Sequence, residues 1–217
     1  MKLLKSYQVK LGVLHICLLF LVLGCSDSTP KSSLDLLFER AVELHKNGDF
    51  NEAMEIYEKV INESPERAEV YHYRGLLFAA QNNLGSAIKD LTSALDKNPN
   101  LPRLYLDRGS MYETNGNILL AIEDYTSAVK IDEQLAIAYY FRGSLYYGKG
   151  EVDLALEDFS MGIFLEPNNP NLYLLRGNIH ITRGSTILAK NDLEMVIELS
   201  DDPALIQRAQ STLDNLR

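Results

Sequence analysis

Apolar and small residues recur along most of this chain with the spacing of amphipathic α-helices. The helices are predicted in pairs, and each pair fills a unit of 34 residues, counted from residues 34, 68, 102, 136 and 170. Positions 4, 8 and 11 of a unit share one face of its first helix, and positions 20, 24 and 27 share the complementary face of its second. An alanine stands at position 20 of every unit, with no insertion or deletion between them: Ala53, Ala87, Ala121, Ala155 and Ala189. This fixed period predicts a stack of helix–turn–helix repeats.

Further columns of residues share this frame. A small residue at position 8 lets the second helix approach closely: Ala41, Gly75, Gly109, Gly143 and Gly177. A large side chain occupies position 24: Tyr57, Leu91, Tyr125, Phe159 and Leu193. A proline closes three of the units: Pro65, Pro99 and Pro167. The later units also carry the related segments YHYRG, YLDRG, YYFRG and YLLRG, which end at position 8. These residues resemble the tetratricopeptide repeat over residues 34–203.

The resemblance implies an all-α, right-handed superhelix of five repeats, with boundaries at 34–67, 68–101, 102–135, 136–169 and 170–203. Residues 204–217 lack the aromatic–glycine theme but keep one apolar stripe, formed by Leu205, Ala209 and Leu213. They are predicted to form a capping helix, with Asp202 as N-cap and Pro203 at the first helical position. In the first unit Glu43 stands at position 10, where later units are apolar, which is typical of a face with no preceding repeat.

Residues 1–24 have the composition of a secretory signal peptide. Three lysines precede the apolar segment 11–24, whose roughly 14 apolar residues are fewer than the roughly 20 that span a bilayer. The sequence VLGC that ends at Cys25 resembles a bacterial lipobox, which implies cleavage before Cys25 and lipid on its sulfur. The lipidated Cys25 would begin a polar tether over residues 25–33. A signal peptide without lipidation and an uncleaved anchor are the alternatives.

The charge of the chain changes with this processing. Loss of residues 1–24 would remove Lys2, Lys5 and Lys10 and no acid, so the basic side chains fall from 21 to 18 against 30 acidic ones. The net charge then falls from −9 to −12. A protein this acidic is not expected to bind nucleic acid through its phosphates. Anionic lipid headgroups would also repel it, so the lipid at Cys25 is the predicted contact with the membrane.

No pattern in the sequence predicts catalysis. The histidines lie in the signal segment or at scattered repeat positions without the spacing of metal ligands: His15, His45, His72 and His180. The sequence carries neither a phosphate-binding glycine loop nor a nucleophile elbow. We therefore expect no enzymatic activity, no metal site and no cofactor beyond the covalent lipid.

Arginine and aspartate form two further columns. Arginine occupies position 7 of all five units: Arg40, Arg74, Arg108, Arg142 and Arg176. Aspartate occupies position 23 of the last four, where the first unit has isoleucine: Asp90, Asp124, Asp158 and Asp192. Position 7 borders the packing face, so partly buried ion pairs that fix helix packing are expected, with an anion-binding ladder as the alternative. Pairing within a unit leaves Arg40 over, whereas pairing with the next unit leaves Arg176 over, and the sequence allows both.

Positions 2, 5, 9 and 12 lie on the opposite face of each first helix and are expected to line the concave side, called the groove below. The candidate partner-binding residues of the groove are Phe38, His72, Leu106, Tyr140, Tyr147, Leu174 and Asn178. An exposed apolar strip with a polar border is typical of protein-binding surfaces, so an apolar or helical peptide segment is the predicted ligand. Family members that clamp a C-terminal carboxylate carry Lys at position 5 and Asn at position 9, and only Asn178 matches. Covering by the tether, the capping helix or a second copy is the alternative.

The combined interpretation is a lipid-anchored adaptor of the bacterial cell envelope, at the outer membrane, that recruits proteins through the groove. The chain resembles tetratricopeptide lipoproteins of bacterial outer membranes, some of which organise cell-wall hydrolases and others pilus or outer-membrane assembly. One alternative is a surface-exposed lipoprotein that binds external or host molecules, which protease shaving of intact cells would clip. Another is a subunit that lends its repeats to a catalytic partner. Homo-oligomer formation is left open by the sequence.

Overall fold

The computed structural model describes residues 31–216, which form eleven α-helices. The helices are α1 (Ser33–Asn47), α2 (Phe50–Glu63), α3 (Ala68–Ala80), α4 (Leu84–Lys97), α5 (Pro102–Thr114), α6 (Ile118–Ile131), α7 (Ala136–Gly148), α8 (Val152–Leu165), α9 (Pro170–Thr182), α10 (Thr186–Leu199) and α11 (Pro203–Asn215). Each odd-numbered helix up to α9 packs on the next one, and the pairs stack in chain order. The prediction of an all-α solenoid is confirmed. The predicted signal peptide 1–24, the lipidation site Cys25 and residues 26–30 of the tether lie outside the described residues.

Within a repeat, the two helices pack through the small residue at position 8. The alanines at position 20 and the large side chains at position 24 are fully buried. A Cβ atom added to Gly109 would lie 2.8 Å from Cε1 of Tyr125, and one added to Gly143 would lie 3.0 Å from Cε1 of Phe159. The glycine column therefore sets how closely the two helices of a repeat approach.

Consecutive repeats pack through positions 3 and 10 of the first helices. Val70 and Leu77 of the second repeat are fully buried and belong to the same apolar cluster as Tyr57 of the first. Glu43, at position 10 of the first repeat, is exposed. A polar outer face is what the terminal unit of a solenoid needs, because no earlier repeat covers it.

The turn inside each repeat depends on one residue with left-handed backbone. The φ angle at position 15 is +88° at Gly48, +59° at Asn82 and +78° at Gly116. In the first repeat the backbone N–H of Asp49 then donates to the carbonyl of Leu44 at 2.9 Å, which closes the end of α1. The second helix therefore starts two residues later, and its first turn lies at the same edge of the stack in every repeat.

The last helix closes the stack. It begins at Pro203, and the side chain of Asp202 accepts a hydrogen bond from the backbone N–H of Ala204 at 2.9 Å. Ala209 and Leu213 are buried in the apolar cluster of the last repeat. This helix therefore covers apolar surface that a sixth repeat would otherwise have to bury.

Candidate functional site

The arginine and aspartate columns meet within each of the last four repeats. Arg108 donates from Nε and Nη2 to Oδ2 and Oδ1 of Asp124 at 2.8 and 2.7 Å. The same bidentate pair joins Arg74 to Asp90, Arg142 to Asp158 and Arg176 to Asp192. All four aspartates are at most 5% exposed. In the structure each aspartate therefore pairs with the arginine of its own repeat. Among the described residues, Arg40 is then the arginine of the column that has no aspartate partner.

Arg40 has a different environment from the other four arginines. Position 23 of its repeat is Ile56, which offers no acceptor, and the Arg40 side chain is exposed. It forms no ion pair with any residue of the described range 31–216. The first repeat therefore packs without the ion pair that the later four share.

Three of the paired arginines also connect neighbouring repeats, namely Arg108, Arg142 and Arg176. Nη1 of Arg108 donates to Oγ1 of Thr92 in the preceding repeat at 3.1 Å. Its guanidinium carbon lies 5.7 Å from the ring centroid of Tyr112 and 5.9 Å from that of Tyr105. The hydrogen bonds to Asp124 raise the pKa of Arg108 above its ordinary value. Arg108 therefore holds helices together, and its guanidinium donors are occupied rather than open to an anionic ligand.

The groove does not present a continuous exposed apolar strip. Phe38, Tyr140 and Tyr147 are partly exposed, as are His72 and Asn178. Leu106 and Leu174 are only 7% and 6% exposed, so the expectation of an exposed strip is wrong at these two positions. They are covered by the part of the stack that follows each of them. Leu106 shares a cluster with Ala138 of the fourth repeat, and Leu174 shares one with Ala209 of α11.

A polar bridge divides the groove between the second and third repeats. Nε2 of His72 lies 2.6 Å from Oδ2 of Asp107, and Nε of Arg103 donates to the same carboxylate at 2.9 and 3.0 Å. The side chains of His72 and Asp107 are each 13% exposed. His72 therefore serves as a bridge between repeats, and an apolar ligand has separate surfaces on either side of it.

The larger apolar surface lies on the N-terminal side of this bridge. A cavity of about 430 Å³ opens between α1 and α3, against Phe38, Val42 and Tyr73, and its rim carries Glu39, Glu43 and Lys46. An adjoining cavity of about 360 Å³ shares Val42, Lys46 and Tyr73 and is also lined by His45, Phe50, Leu76 and Ala80. The ring centroids of Phe38 and Tyr73 are 5.4 Å apart, nearly perpendicular. The residues that line these two cavities form one surface, which is called the aromatic-lined shelf below.

A smaller cavity lies on the C-terminal side of the bridge. It has a volume of about 250 Å³ and lies between α7 and α9, against Ile137, Tyr140, Phe141 and Asn171. Tyr73 and Phe141 both stand at position 6 of their repeats, which is not one of the predicted groove positions 2, 5, 9 and 12. The aromatic residue directly before arginine in YHYRG and YYFRG was the signal that could have revealed them.

The family-model comparison supports the repeat frame. Three overlapping matches to the tetratricopeptide repeat model cover residues 38–102, 74–136 and 106–170. The chain belongs to the tetratricopeptide repeat family. Proteins of this family are in general non-catalytic scaffolds, and the general role of a scaffold for protein–protein interaction applies to this chain. A comparison with curated proteins finds no significant match.

Solved structures share the fold of this tetratricopeptide repeat protein. YrrB, described as having an unusual peptide-binding site, is 19% identical with a TM-score of 0.68, over 81% of this chain and 90% of its own. Pseudomonas aeruginosa pilF is 13% identical with a TM-score of 0.70, over 84% and 88%. A MamA fragment from Desulfovibrio magneticus RS-1 is 18% identical with a TM-score of 0.70, over 80% and 100%. At these identities the similarity shows the fold alone.

Two further kinds of feature are absent from the described residues. Across residues 31–216 no group of three or more His, Cys, Asp or Glu side chains is arranged to hold a metal ion. In the same range, no helix combines the length and the apolar character that crossing a membrane requires. The groove, with its two apolar parts and the polar bridge between them, is the candidate site of this tetratricopeptide repeat protein.

Proposed function

We propose that this protein is a lipid-anchored adaptor of the bacterial cell envelope that binds apolar or helical peptide segments of other proteins in its groove. The observation that carries the binding role is the aromatic-lined shelf of Phe38, Val42, Tyr73 and Leu76. Partly exposed aromatic side chains in a concave site supply large apolar contact area at low cost in side-chain entropy. Family members share the scaffold role, and YrrB has a described peptide-binding site.

The polar bridge across the groove determines which pattern of side chains we propose for the ligand. An extended or helical segment would place apolar side chains on the N-terminal shelf and in the cavity beside Tyr140. Between these contacts it would cross the pair of His72 and Asp107, where a polar group of the ligand fits better than an apolar one. The proposed motif is therefore two apolar anchors separated by a polar stretch.

The envelope location rests on the sequence before residue 31. The basic and apolar segment up to Gly24 and the lipobox-like junction at Cys25 support export and acylation, and the outer membrane is the proposed destination. Growth with an alkyne-bearing palmitate analogue tests this directly. The wild-type chain should take up the label, and Cys25→Ala should not, while labelling of Cys25→Ala would contradict acylation at this residue.

In-cell photocrosslinking tests the adaptor role. A photoreactive amino acid replaces Tyr140 in the groove, and a control probe replaces the exposed Glu55 on α2. The expected result is a crosslink to a defined envelope protein from the groove probe, and not from the control. Ile137→Glu should weaken that crosslink, because Ile137 lines the same cavity and is 46% exposed, so the change does not disturb the core.

Two outcomes would contradict the adaptor role. Crosslinks from position 140 to other copies of this chain alone would mean that the groove is covered by the protein itself. Equal crosslinking in wild type and Ile137→Glu would mean that the cavity takes no part in the capture. The palmitate experiment is independent of both, so the anchor and the groove can fail separately.

A further inference from the structure

A row of exposed apolar residues runs along one edge of the last three repeats. It lies at positions 18 and 19, in the first turn of α6, α8 and α10, and is called the apolar row. Its members and their exposed fractions are Leu119 68%, Leu120 43%, Leu154 41%, Ile187 76% and Leu188 50%. These side chains lie outside the groove, which is formed by the first helices of the repeats.

The scaffold does not require apolar residues at these positions. The first two repeats carry Asn51, Glu52, Gly85 and Ser86 there. The neighbouring core in those repeats is still complete, since the alanines at position 20 are fully buried in all five. The core of a repeat does not need these side chains. Exposed leucine and isoleucine in three consecutive repeats therefore indicate a surface that contacts a partner outside the repeat itself.

The row follows the same two positions through three consecutive repeats. At this edge Arg183, in the turn of the fifth repeat, forms an ion pair with Asp153 at position 18 of the fourth. Asp153 is not a member of the row, but it stands at position 18 between the apolar residues of the third and fifth repeats. Its ion pair with Arg183 shows that the edges of the fourth and fifth repeats are in contact.

The pattern of the row is symmetric about the fourth repeat. The third repeat contributes two apolar residues, the fourth contributes Leu154 beside the paired Asp153, and the fifth contributes two apolar residues. If two copies meet in antiparallel fashion, the third repeat of one faces the fifth of the other and Leu154 meets its own counterpart. An isologous interface requires such self-complementarity.

The area of the row fits this arrangement. At roughly 180 Å² for a fully exposed leucine or isoleucine, the five residues of the row together expose on the order of 500 Å² of largely apolar surface. A standard interface buries roughly 800 Å² per partner, of which about 65% is apolar in homodimers. A membrane fits less well, because the exposed Glu123 and Glu157 flank the row one turn further along α6 and α8.

We infer that the apolar row is the interface of an antiparallel homodimer of this chain. The inference goes beyond the proposed adaptor function, since it concerns a different surface. Because the row lies on the second helices, both grooves stay open in the dimer. Two grooves on one particle would capture bivalent or clustered ligands with higher avidity than a monomer.

Cysteine crosslinking in cells that express the full chain tests this arrangement. With added oxidant, Leu154→Cys should give a disulfide-linked dimer on non-reducing gels, because its two copies meet at the two-fold axis. Leu119→Cys and Ile187→Cys should crosslink when the two variants are co-expressed with different tags, and each should crosslink poorly to itself. Phe164→Cys is the matched control, since Phe164 is 79% exposed on the same helix as Leu154 but lies outside the row.

A second change tests whether the apolar contacts hold the dimer. Leu120→Lys combined with Leu188→Lys in the Leu154→Cys background should reduce the crosslinked dimer several-fold, and both sites are exposed enough to tolerate lysine. Dimer from Leu154→Cys that does not exceed the Phe164→Cys control would overturn the inference. So would a parallel pattern, with Leu119→Cys and Ile187→Cys each linking to themselves, or linkage only to a different protein. None of these outcomes affects photocrosslinking from position 140.

Discussion

Arg142 and Asp158 form a bidentate ion pair across the two helices of the fourth repeat, with N–O distances of 2.7 and 2.9 Å. The remaining nitrogen of the same guanidinium donates to Oγ1 of Thr126 in the third repeat at 3.3 Å. One side chain thus joins α7, α8 and α6, and the third and fifth repeats contain the same arrangement. The arginine column could have been an anion-binding ladder by its sequence pattern. In the structure Arg142 instead links the helices of neighbouring repeats.

Arg142→Ala should lower the free energy of unfolding by about 3 kcal/mol, because Asp158 would remain buried without its partner. Urea unfolding followed by circular dichroism measures the change. Arg40→Ala is the matched control at the same position of the first repeat, and it should cost less than about 0.5 kcal/mol. Equal losses in the two variants would show that the pair with Asp158 contributes nothing.

Gly109→Ala should destabilise the protein by about 1–3 kcal/mol, since the new Cβ would lie 2.8 Å from the Tyr125 ring. Gly85→Ala, in the first turn of α4, meets no atom within 4 Å and should stabilise by about 0.5–1 kcal/mol. Thermal unfolding midpoints give the sign of each change. A neutral Gly109→Ala would mean that the helices can separate at no cost.

His180→Tyr should stabilise the protein by about 1–2 kcal/mol at neutral pH. Within the described range, Nδ1 of His180 is buried without a hydrogen-bond partner. The third and fourth repeats have tyrosine at this position, and its ring contacts the paired arginine. Tyrosine should therefore remove the unsatisfied nitrogen and restore a ring beside Arg176.

The same variant should change the pH dependence of stability. Burial lowers the pKa of His180 below its ordinary value of 6.5, which outweighs the opposing effect of Asp192. The neutral His180 ring contributes its full share to the free energy of unfolding above about pH 6.5. That share is lost as the pH falls below this value, because the unfolded chain binds the proton at a higher pH than the folded chain does. Between pH 7.5 and pH 5 the melting temperature should therefore fall less steeply in His180→Tyr than in the wild type. Parallel melting curves would contradict this assignment.

Tyr125→Phe should cost about 1 kcal/mol, because the Tyr125 hydroxyl donates to Oε2 of Glu113 at 2.8 Å. Tyr57→Phe is the matched control, since its hydroxyl lies 3.5 Å from Nδ1 of His45 and should contribute less. Phe159 at the equivalent position of the fourth repeat shows that packing itself does not need the hydroxyl. Urea unfolding of both variants measures the two losses in free energy of unfolding. A larger loss in Tyr57→Phe than in Tyr125→Phe would contradict the prediction.

The repeat frame could be read from the sequence because it depends on local periodicity repeated five times. The alanines at position 20, the glycines at position 8 and the polar Glu43 at the first repeat each specify a face of one helix. Helix faces follow from residue spacing alone, so the helix pairs and their stacking order follow as well. The capping role of α11 was also predictable, because Asp202, Pro203 and an apolar stripe are local signals.

The candidate site was less predictable, because it depends on how far neighbouring repeats lean over each other. Position 5 is partly exposed at Phe38 and Tyr140 but buried at Leu106, although the spacing is identical. The pairing of His72 with Asp107 likewise joins residues from different repeats.

The sequence alone thus established the solenoid, its five units and the columns of arginine and aspartate. Three-dimensional packing decided that Arg142 pairs with Asp158 inside its own repeat, that the groove is interrupted, and that the apolar row stays exposed. The physical reason is that a column of residues specifies a direction around one helix. Contacts between helices depend on their separation and tilt, which arise only when side chains of different repeats fill the space between them.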